Sequence, residues 1–257
     1  MHFDVITIFP EMIRSVTEFG ITGRAVGKGL LQVQCWNPRD YSEGDYRAVD
    51  DRPYGGGPGM VMMAKPLAGA INAIREDAGC KPPLIYLSPQ GELLDQRIVE
   101  ELSGHRRLIL LAGRYEGIDE RIVDEYVDRE YSIGNYVVSG GELAAMVIID
   151  AVARQLPGVL GNDESASRES FVEGLLDCPH YSRPEAFEGA KTPDVLLSGN
   201  HEAIRRWRLK QSLGRTWLRR PELLSRVEMD AERYALLNDF IDEHEQEQNN
   251  DEPDTGT

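Results

Sequence analysis

The stretch RLILLAGRYEGIDER, residues 107–121, joins an apolar run to a glycine-containing loop and the start of a helix. Two other stretches are richer in glycine: DRPYGGGPGM at residues 51–60 and SIGNYVVSGGE at residues 132–142. Glycine lets backbone N–H and C=O groups approach a ligand with no Cβ in the way. The three loops therefore predict a cofactor pocket made of main chain, and none of them matches the Rossmann or P-loop glycine pattern.

Strand-like and helix-like segments alternate over the first 160 residues. This alternation predicts an α/β fold with a mostly parallel sheet covered by helices on both faces. The predicted strands are HFDVITIF near the N-terminus and residues 30–36, 84–87 and 107–112. The predicted helices are residues 10–19, 66–77, 94–102 and 141–156.

The polar segment GNDESASRES, which follows the last of these helices, predicts a domain boundary near residue 160. We expect an α/β domain at residues 1–160 and a flexible linker at residues 161–172. A small all-helical domain is expected at residues 173–246, followed by a disordered acidic tail at residues 247–257.

The overall composition is that of a soluble globular protein, with 41% apolar residues and a net charge of −16. No apolar stretch reaches membrane-spanning length and no leader pattern is present, so we expect a cytoplasmic protein without membrane contact. The three cysteines, Cys35, Cys80 and Cys178, are widely separated and odd in number, which indicates reduced thiols.

Charge is distributed unevenly near the C-terminus. Residues 205–226 hold eight Lys or Arg against Glu222 alone, whereas residues 228–257 hold eleven Asp or Glu against Arg233 alone. A local basic cluster is typical of phosphate binding, although two solvated helix faces would give the same composition. The candidate RNA-binding residues fall close to one stripe of a helix and are Arg205, Arg208, Arg215 and Arg219.

Other residues in this half of the chain are open to two interpretations. Trp207 and Trp217 suit base stacking, but we interpret them as packing residues of the same helix. Cys178 and His180 are possible metal ligands, but no second pair at zinc spacing exists, so a turn fixed by Pro179 is favoured.

Ten motifs together give a resemblance to a known family. The chain closely resembles the bacterial tRNA (guanine-N1-)-methyltransferases of the SPOUT class from about residue 3 to residue 226. The motifs are ITIFPEM, NPRDY, DRPYGGGPGMVM, YLSPQG, GRYEGIDER, SIGNYVVSGGE, DAVARQLPGVLG, GLLDCPHYSRP, LLSGNHEAIRRWR and RTWLRRPELL.

The resemblance implies a sheet domain with a deep trefoil knot and a homodimer whose active sites are shared between subunits. It implies S-adenosylmethionine as the methyl donor and a tRNA with guanosine at position 37 as the substrate. Mg²⁺ is a further candidate, with no ligand pattern that places it. The implied donor-binding residues are Leu87, Pro89, Gly113, Tyr115, Glu116, Ile133, Gly134, Asn135, Tyr136, Val137, Val138, Gly140 and Gly141.

The resemblance also implies two catalytic residues. Removal of the N1 proton of guanine requires a carboxylate base, which is Glu169 by resemblance, with Asp177 in reserve. Charge that develops on O6 requires a cationic donor, which is Arg154 by resemblance; the helix dipole alone would also account for an arginine there. Related sequences carry aspartate at the positions of Glu169 and Asn135.

The sequence is compatible with three functions. The first is a methyltransferase acting on N1 of guanosine 37 in tRNA. The second is an RNA-binding protein that has lost catalysis at residue 169. The third is a related enzyme acting on ribosomal RNA.

Overall fold

The computed structural model describes residues 1–160, 170–171 and 174–251 of the 257-residue chain. By its internal contacts the chain divides into two compact units, Met1–Asp163 and Glu164–Thr257. Most of the predicted linker, residues 161–172, lies outside the ranges that the structure describes. Among the described residues, no helix has both the length and the apolar character that crossing a membrane requires.

A five-stranded parallel sheet forms the centre of the first unit, with strand order β2-β1-β6-β5-β7. This sheet confirms the predicted α/β fold. Its strands are β1 (His2–Ile6), β2 (Gln32–Trp36), β5 (Leu84–Leu93), β6 (Arg107–Ala112) and β7 (Arg129–Ser132), and a separate antiparallel ribbon consists of β3 (Asp50–Asp51) and β4 (Val61–Met62).

Six helices cover this sheet. They are α1 (Pro10–Glu18), α2 (Gly20–Gly27), α3 (Ala64–Ala78), α4 (Gln96–Ser103), α5 (Glu120–Tyr126) and α6 (Glu142–Gln155). Side chains alternate between the faces of a strand, so neighbouring residues enter different cores. Phe3, Leu108 and Leu110 pack with α1, α2, α4 and α6. Ile109 and Leu111 pack on the other face with α3 and α5.

Strand β5 is longer than predicted and is interrupted. It pairs with β7 at Ile85–Leu87 and again at Glu92–Leu93, with a register shift between these two parts. The residues between them, SPQG at 88–91, break the hydrophobic pattern, so the sequence predicted a strand end at residue 87. The interruption withdraws backbone groups from the ladder beside the carboxyl end of β6.

The second unit is mostly helical. Its described helices are α7 (Asp194–Leu197), α8 (His201–Arg219), α9 (Pro221–Leu224) and α10 (Ala231–Asp251), and Leu213 and Leu236 pack in the core that α8 and α10 share. The prediction of an all-helical domain was wrong in one part: β8 (Ala186–Phe187) and β9 (Ala190–Lys191) form a short antiparallel hairpin. Its turn residues, Glu188 and Gly189, both have positive φ, which suits a tight two-residue turn.

Helix α10 also extends past residue 246, where the predicted acidic tail begins, to Asp251. Glutamate and glutamine are good helix formers, so solvent-facing residues can prolong a helix without burying apolar surface. The rest of the predicted tail, residues 252–257, lies outside the described residues.

Candidate active site

A cavity of about 220 Å³ opens beside the carboxyl end of β6 and the interrupted part of β5. Its wall is formed by residues 86–89, 113–117, 131–133 and 136–141, together with Ala144. Ligands of open α/β sheets bind outside the carboxyl ends of strands, so the position suits a cofactor. Of the thirteen predicted donor-binding residues, eleven lie on this wall: Leu87, Pro89, Gly113, Tyr115, Glu116, Ile133, Tyr136, Val137, Val138, Gly140 and Gly141.

The other two, Gly134 and Asn135, belong to the same loop but do not line the cavity. Here the loop folds on itself: the Tyr136 amide donates to the Gly134 carbonyl at 2.9 Å. A Cβ on Gly134 would overlap the Tyr136 ring, and its φ of 155° is rare for other residues. Gly134 therefore shapes the loop from outside the cavity.

The glycine-rich residues 51–60 do not line the cavity either, contrary to the expectation that all three loops would form it. They support the second loop from behind. The Glu116 amide donates to the Met60 carbonyl at 3.0 Å, and the Met62 amide donates to the Gly117 carbonyl at 2.9 Å. A Cβ on Gly59, whose φ is 82°, would overlap the Glu116 side chain, so a larger residue here would displace that side chain.

Two glycines on the wall are packed against protein backbone or ring atoms. A Cβ on Gly141 would lie 2.7 Å from Ala112 Cα, and one on Gly113 would lie 2.9 Å from Tyr86 Cε2. Contacts this short are not compatible with a side chain. The Gly141 amide donates to the Gly113 carbonyl at 2.9 Å, which joins the second and third loops directly.

Three tyrosines on the wall keep neutral hydroxyl groups. Burial raises the pKa of the Tyr86, Tyr115 and Tyr131 phenols, and nearby carboxylates add to each shift. These groups therefore carry no charge at neutral pH. Tyr115 also has a φ of 62°, an uncommon conformation for a residue other than glycine.

Of the two predicted catalytic residues, Arg154 is described by the structure and does not line the cavity. Arg154 is half-buried in the last turn of α6, whereas the cavity lies at the first turn of that helix. Glu169 lies outside the described residues.

The reserve base Asp177 is already engaged in the second unit. Its carboxylate lies 2.8 Å from His180 Nε2 and accepts from the Cys178 amide at 2.7 Å. Burial opposes ionisation, but these hydrogen bonds outweigh it and hold the pKa of Asp177 below its usual value. A carboxylate with a lowered pKa is a weaker proton acceptor.

Asp177, Cys178 and His180 also form the one group of metal-ligand side chains found among the described residues. Burial, followed by the neighbouring Asp177, raises the pKa of the Cys178 thiol, which disfavours the thiolate that binds metals. Together with the hydrogen bonds inside the group, this supports the interpretation of a turn, and we assign no metal to it.

The four predicted RNA-binding arginines lie on α8 in different surroundings. Arg205 is paired with Glu202 at 2.8 Å and with Glu232 at 2.7 Å. Arg208 and Arg219 are exposed, and Arg215 is half-buried. Arg208 borders two surface clefts of the second unit, each of about 800 Å³.

Both tryptophans of α8 make ring contacts within the unit. Trp207 lies 6.4 Å from the Tyr181 ring, and Trp217 lies 6.2 Å from the His244 ring in an edge arrangement. These contacts agree with a packing role.

Comparison with known proteins gives a consistent result. The family model described as tRNA (Guanine-1)-methyltransferase TrmD matches residues 1–226. A tRNA (guanine-N(1)-)-methyltransferase of Idiomarina loihiensis is 61% identical over 241 residues, which are 94% of this chain and 96% of the relative. A protein of the same name from Salmonella newport is 59% identical over 248 residues, 96% and 97% of the two chains. The chain belongs to the tRNA (guanine-N1-)-methyltransferase family.

The cavity of this methyltransferase family member also has wall residues that the sequence analysis did not single out. They are Tyr86, Ser88, Arg114, Gly117, Tyr131, Ser132, Ser139 and Ala144. Most of them lie inside the quoted motifs or directly beside them, so motif position was the available signal. Ala144 is the third residue of α6 and lies outside the motifs, so the sequence carried no signal for it.

Proposed function

We propose that the chain transfers the methyl group of S-adenosylmethionine to N1 of guanosine 37 in tRNA. Family membership over residues 1–226, together with eleven predicted donor-binding residues on one cavity wall, carries this proposal. Glu169 is the base for the N1 proton, and Arg154 stabilises the charge that develops on O6.

The cavity wall suits an adenosine-containing donor. Tightly packed glycines bring peptide groups to its surface, where they can bind the edge of an adenine ring. Leu87 and Ile133 offer apolar contact to the ring faces, and the Glu116 carboxylate offers acceptors to ribose hydroxyl groups. The donor, when bound, supplies a methyl group activated by its sulfonium sulfur.

The chain's residues then complete the transfer. With the donor held by the cavity loops, its methyl carbon would be the group transferred, and N1 of guanine would have to be held in line behind it, opposite the sulfur. The Glu169 carboxylate takes the N1 proton, and Arg154 donates a hydrogen bond to O6. Glu169 is preferred to Asp177 because the Asp177 carboxylate is held by His180 and has a lowered pKa.

A homodimer with shared active sites explains the position of Arg154. Twelve residues separate it from Glu142 along α6, which is roughly 18 Å at 1.5 Å per residue. A second copy can bring its own Arg154 to the cavity instead. Leu143 and Val147 are 42% and 45% exposed one turn apart on α6, and Val137 in the preceding loop is 85% exposed. Such an apolar surface is typical of a subunit interface.

We also propose that the first unit contains the trefoil knot implied by the resemblance. Helix α6 follows edge strand β7 yet packs against α1, α2 and α4. The chain must therefore return from the sheet edge across the ends of β5 and β6. The hydrogen bond from the Gly141 amide to the Gly113 carbonyl places this return path against the loop that follows β6.

The tRNA is proposed to bind the second unit through Arg205, Arg208, Arg215 and Arg219. Arg208 and Arg219 are exposed and suited to phosphate contact. Arg205 would first have to exchange its carboxylate partners for phosphate. A tRNA substrate agrees with a cytoplasmic location.

The described residues offer no group of side chains that suits Mg²⁺. The one metal-ligand group among the described residues contains a thiol and an imidazole, whereas Mg²⁺ prefers oxygen ligands. We derive no step through Mg²⁺.

The test is transfer of tritium from methyl-labelled S-adenosylmethionine to a tRNA with guanosine at position 37, assayed with and without Mg²⁺. Label in N1-methylguanosine at that position is expected, and a tRNA with adenosine there is the matched control. Mass spectrometry locates the methyl group.

Two results would replace this proposal with an alternative. RNA binding without transfer, with transfer restored by Glu169→Asp, would indicate a protein that has lost its base. Methylation of ribosomal RNA in place of tRNA would indicate a related enzyme with another substrate.

A further inference from the structure

Glu142, the first residue of α6, is a fully buried carboxylate with both oxygens occupied. Oε1 accepts from Thr7 Oγ1 at 2.8 Å, and Oε2 accepts from Arg114 Nε at 2.8 Å. Thr7 is also fully buried. A buried charge is strongly unfavourable without such partners, so the three side chains form one unit.

Arg114 extends this unit to other parts of the chain. Its Nη1 donates to the Ser139 carbonyl at 3.1 Å, its Nη2 lies 3.3 Å from Met12 Sδ, and its Cζ lies 4.5 Å from the centre of the Phe9 ring. The Phe9 amide in turn donates to Thr7 Oγ1 at 2.9 Å. The contacts therefore close a circuit through the β1–α1 turn, the loop after β6 and the first turn of α6.

This circuit lies where the two cavity loops meet. Arg114 belongs to the loop at residues 113–117, and Ser139 belongs to the loop at residues 132–141. A Cβ on Gly140 would overlap Arg114 Nε, so glycine makes room for the guanidinium. The Gly141 amide and the Gly113 carbonyl, which hydrogen-bond to each other, flank the same contact.

We propose that Arg114, Glu142 and Thr7 are positioning residues that hold the two cavity loops in the conformation that binds the methyl donor. The identity of the ligand rests on the proposed function. The positioning itself is a property of the donor-free protein, because every contact in the circuit is made by the chain alone.

Hydrogen–deuterium exchange of the donor-free full chain tests the positioning. Arg114→Lys keeps the charge but loses the fork that reaches both Glu142 and Ser139, and Thr7→Val keeps the shape but loses the hydroxyl group. Loss of one such charge-assisted bond corresponds to about tenfold faster exchange of loop amides, including that of Gly141. Thr7→Ser retains the hydroxyl group and is expected to retain protection.

Arg121→Lys is the matched control, because Arg121 makes a two-point contact with Asp119 at the surface, outside the cavity wall. In the Arg121→Lys variant, the amides of the two cavity loops are expected to exchange at the wild-type rate. Equal exchange in Arg114→Lys and Arg121→Lys would overturn the proposal. Uniformly faster exchange across the sheet would also overturn it, because the circuit would then serve overall stability only.

Enzyme kinetics separate this proposal from the proposed function. In Arg114→Lys and Thr7→Val we expect the donor KM to rise about tenfold with the tRNA KM unchanged, because only the donor loops are affected. An equal rise in both KM values would contradict the proposal. A wild-type protein that neither binds donor nor methylates tRNA would refute the proposed function, while the exchange experiment would still decide on the circuit.

Discussion

Arg107, the first residue of β6, joins three parts of the first unit at the amino end of the sheet. Its guanidinium binds both oxygens of the buried Asp4 carboxylate at 2.7 and 3.0 Å, and it binds Asp77 at 2.7 Å. Trp36 Nε1 donates to the same Asp4 carboxylate at 2.8 Å. Strands β1, β2 and β6 and the end of α3 are thus connected by one polar network.

Arg107→Ala should destabilise the protein, because it leaves the Asp4 carboxylate buried without its cation. The expected loss is about 3 kcal/mol in the free energy of unfolding, measured by urea denaturation and circular dichroism. Arg97→Ala is the control, since Arg97 makes an exposed pair with Glu92 that should contribute less than about 1 kcal/mol. A loss of less than about 1 kcal/mol in both variants would show that the network contributes no more to the free energy of unfolding than an exposed ion pair.

The residues of the cavity wall could be predicted from the sequence more completely than the side-chain contacts behind that wall. Glycines at strand ends indicated where main chain would be exposed to a ligand, and the resemblance supplied the neighbouring residues. Glu142 was quoted at the end of a glycine motif, but burial of a carboxylate cannot be inferred from its neighbours in sequence. Its partners Thr7 and Arg114 lie 135 and 28 residues away.

At the scale of elements, strand β6 runs over residues 107–112 as predicted, because its apolar run has clear ends. Helix α2 was missed. The sequence predicted a helix at residues 10–19 that ends before Gly20, whereas Gly20 is the first residue of α2 and its φ of 66° allows the sharp turn between the two helices. A glycine marks a change of direction but does not indicate which element comes after the turn.

Helices α8 and α10 carry opposite charges, and ion pairs connect the first half of α8 to α10. Glu232 accepts from Arg205 and Arg206 at 2.7 and 3.2 Å, and Glu243 binds Lys210 at 2.6 Å. The basic and acidic segments seen in the sequence are therefore partners of each other in the folded protein. If RNA binds α8 as proposed, carboxylates of α10 would compete with its phosphates for these cations.

Glu232→Gln should strengthen binding to non-cognate RNA, because it frees Arg206 and leaves Arg205 paired with Glu202 alone. The dependence of log affinity on log salt should steepen by about 0.7, which is the contribution of one additional single-strand phosphate contact made by Arg206. Asp239→Asn, an exposed change of equal charge on the same helix, is the control for net charge. The measurement is filter binding over a series of salt concentrations, and identical slopes in the two variants would contradict the competition.

At the scale of the whole molecule, the sequence pattern alone did not indicate a knot or a dimer. Hydrophobic periodicity reports which face of an element is buried, but it does not report how the chain is threaded or which surface a second copy covers. Both entered through the resemblance. The separation of Arg154 from the cavity along α6 makes the shared site testable.

Mixed dimers provide this test. Arg154→Ala should inactivate the site of the neighbouring subunit, and Gly141→Val should inactivate the donor cavity of its own subunit. A dimer with one subunit of each kind retains one intact site, so it should recover about half of the wild-type turnover. Methyl transfer by co-expressed, doubly tagged dimers is the measurement. No recovery would indicate that each subunit supplies its own Arg154.

The close packing behind Gly113 and Gly141 also matters for inhibitor design. A Cβ at either position would lie within 3 Å of Tyr86 or of the Ala112 backbone, so neither residue can be exchanged without moving the wall. An inhibitor that hydrogen-bonds to peptide groups at these two positions would therefore contact a part of the wall that tolerates little change of sequence.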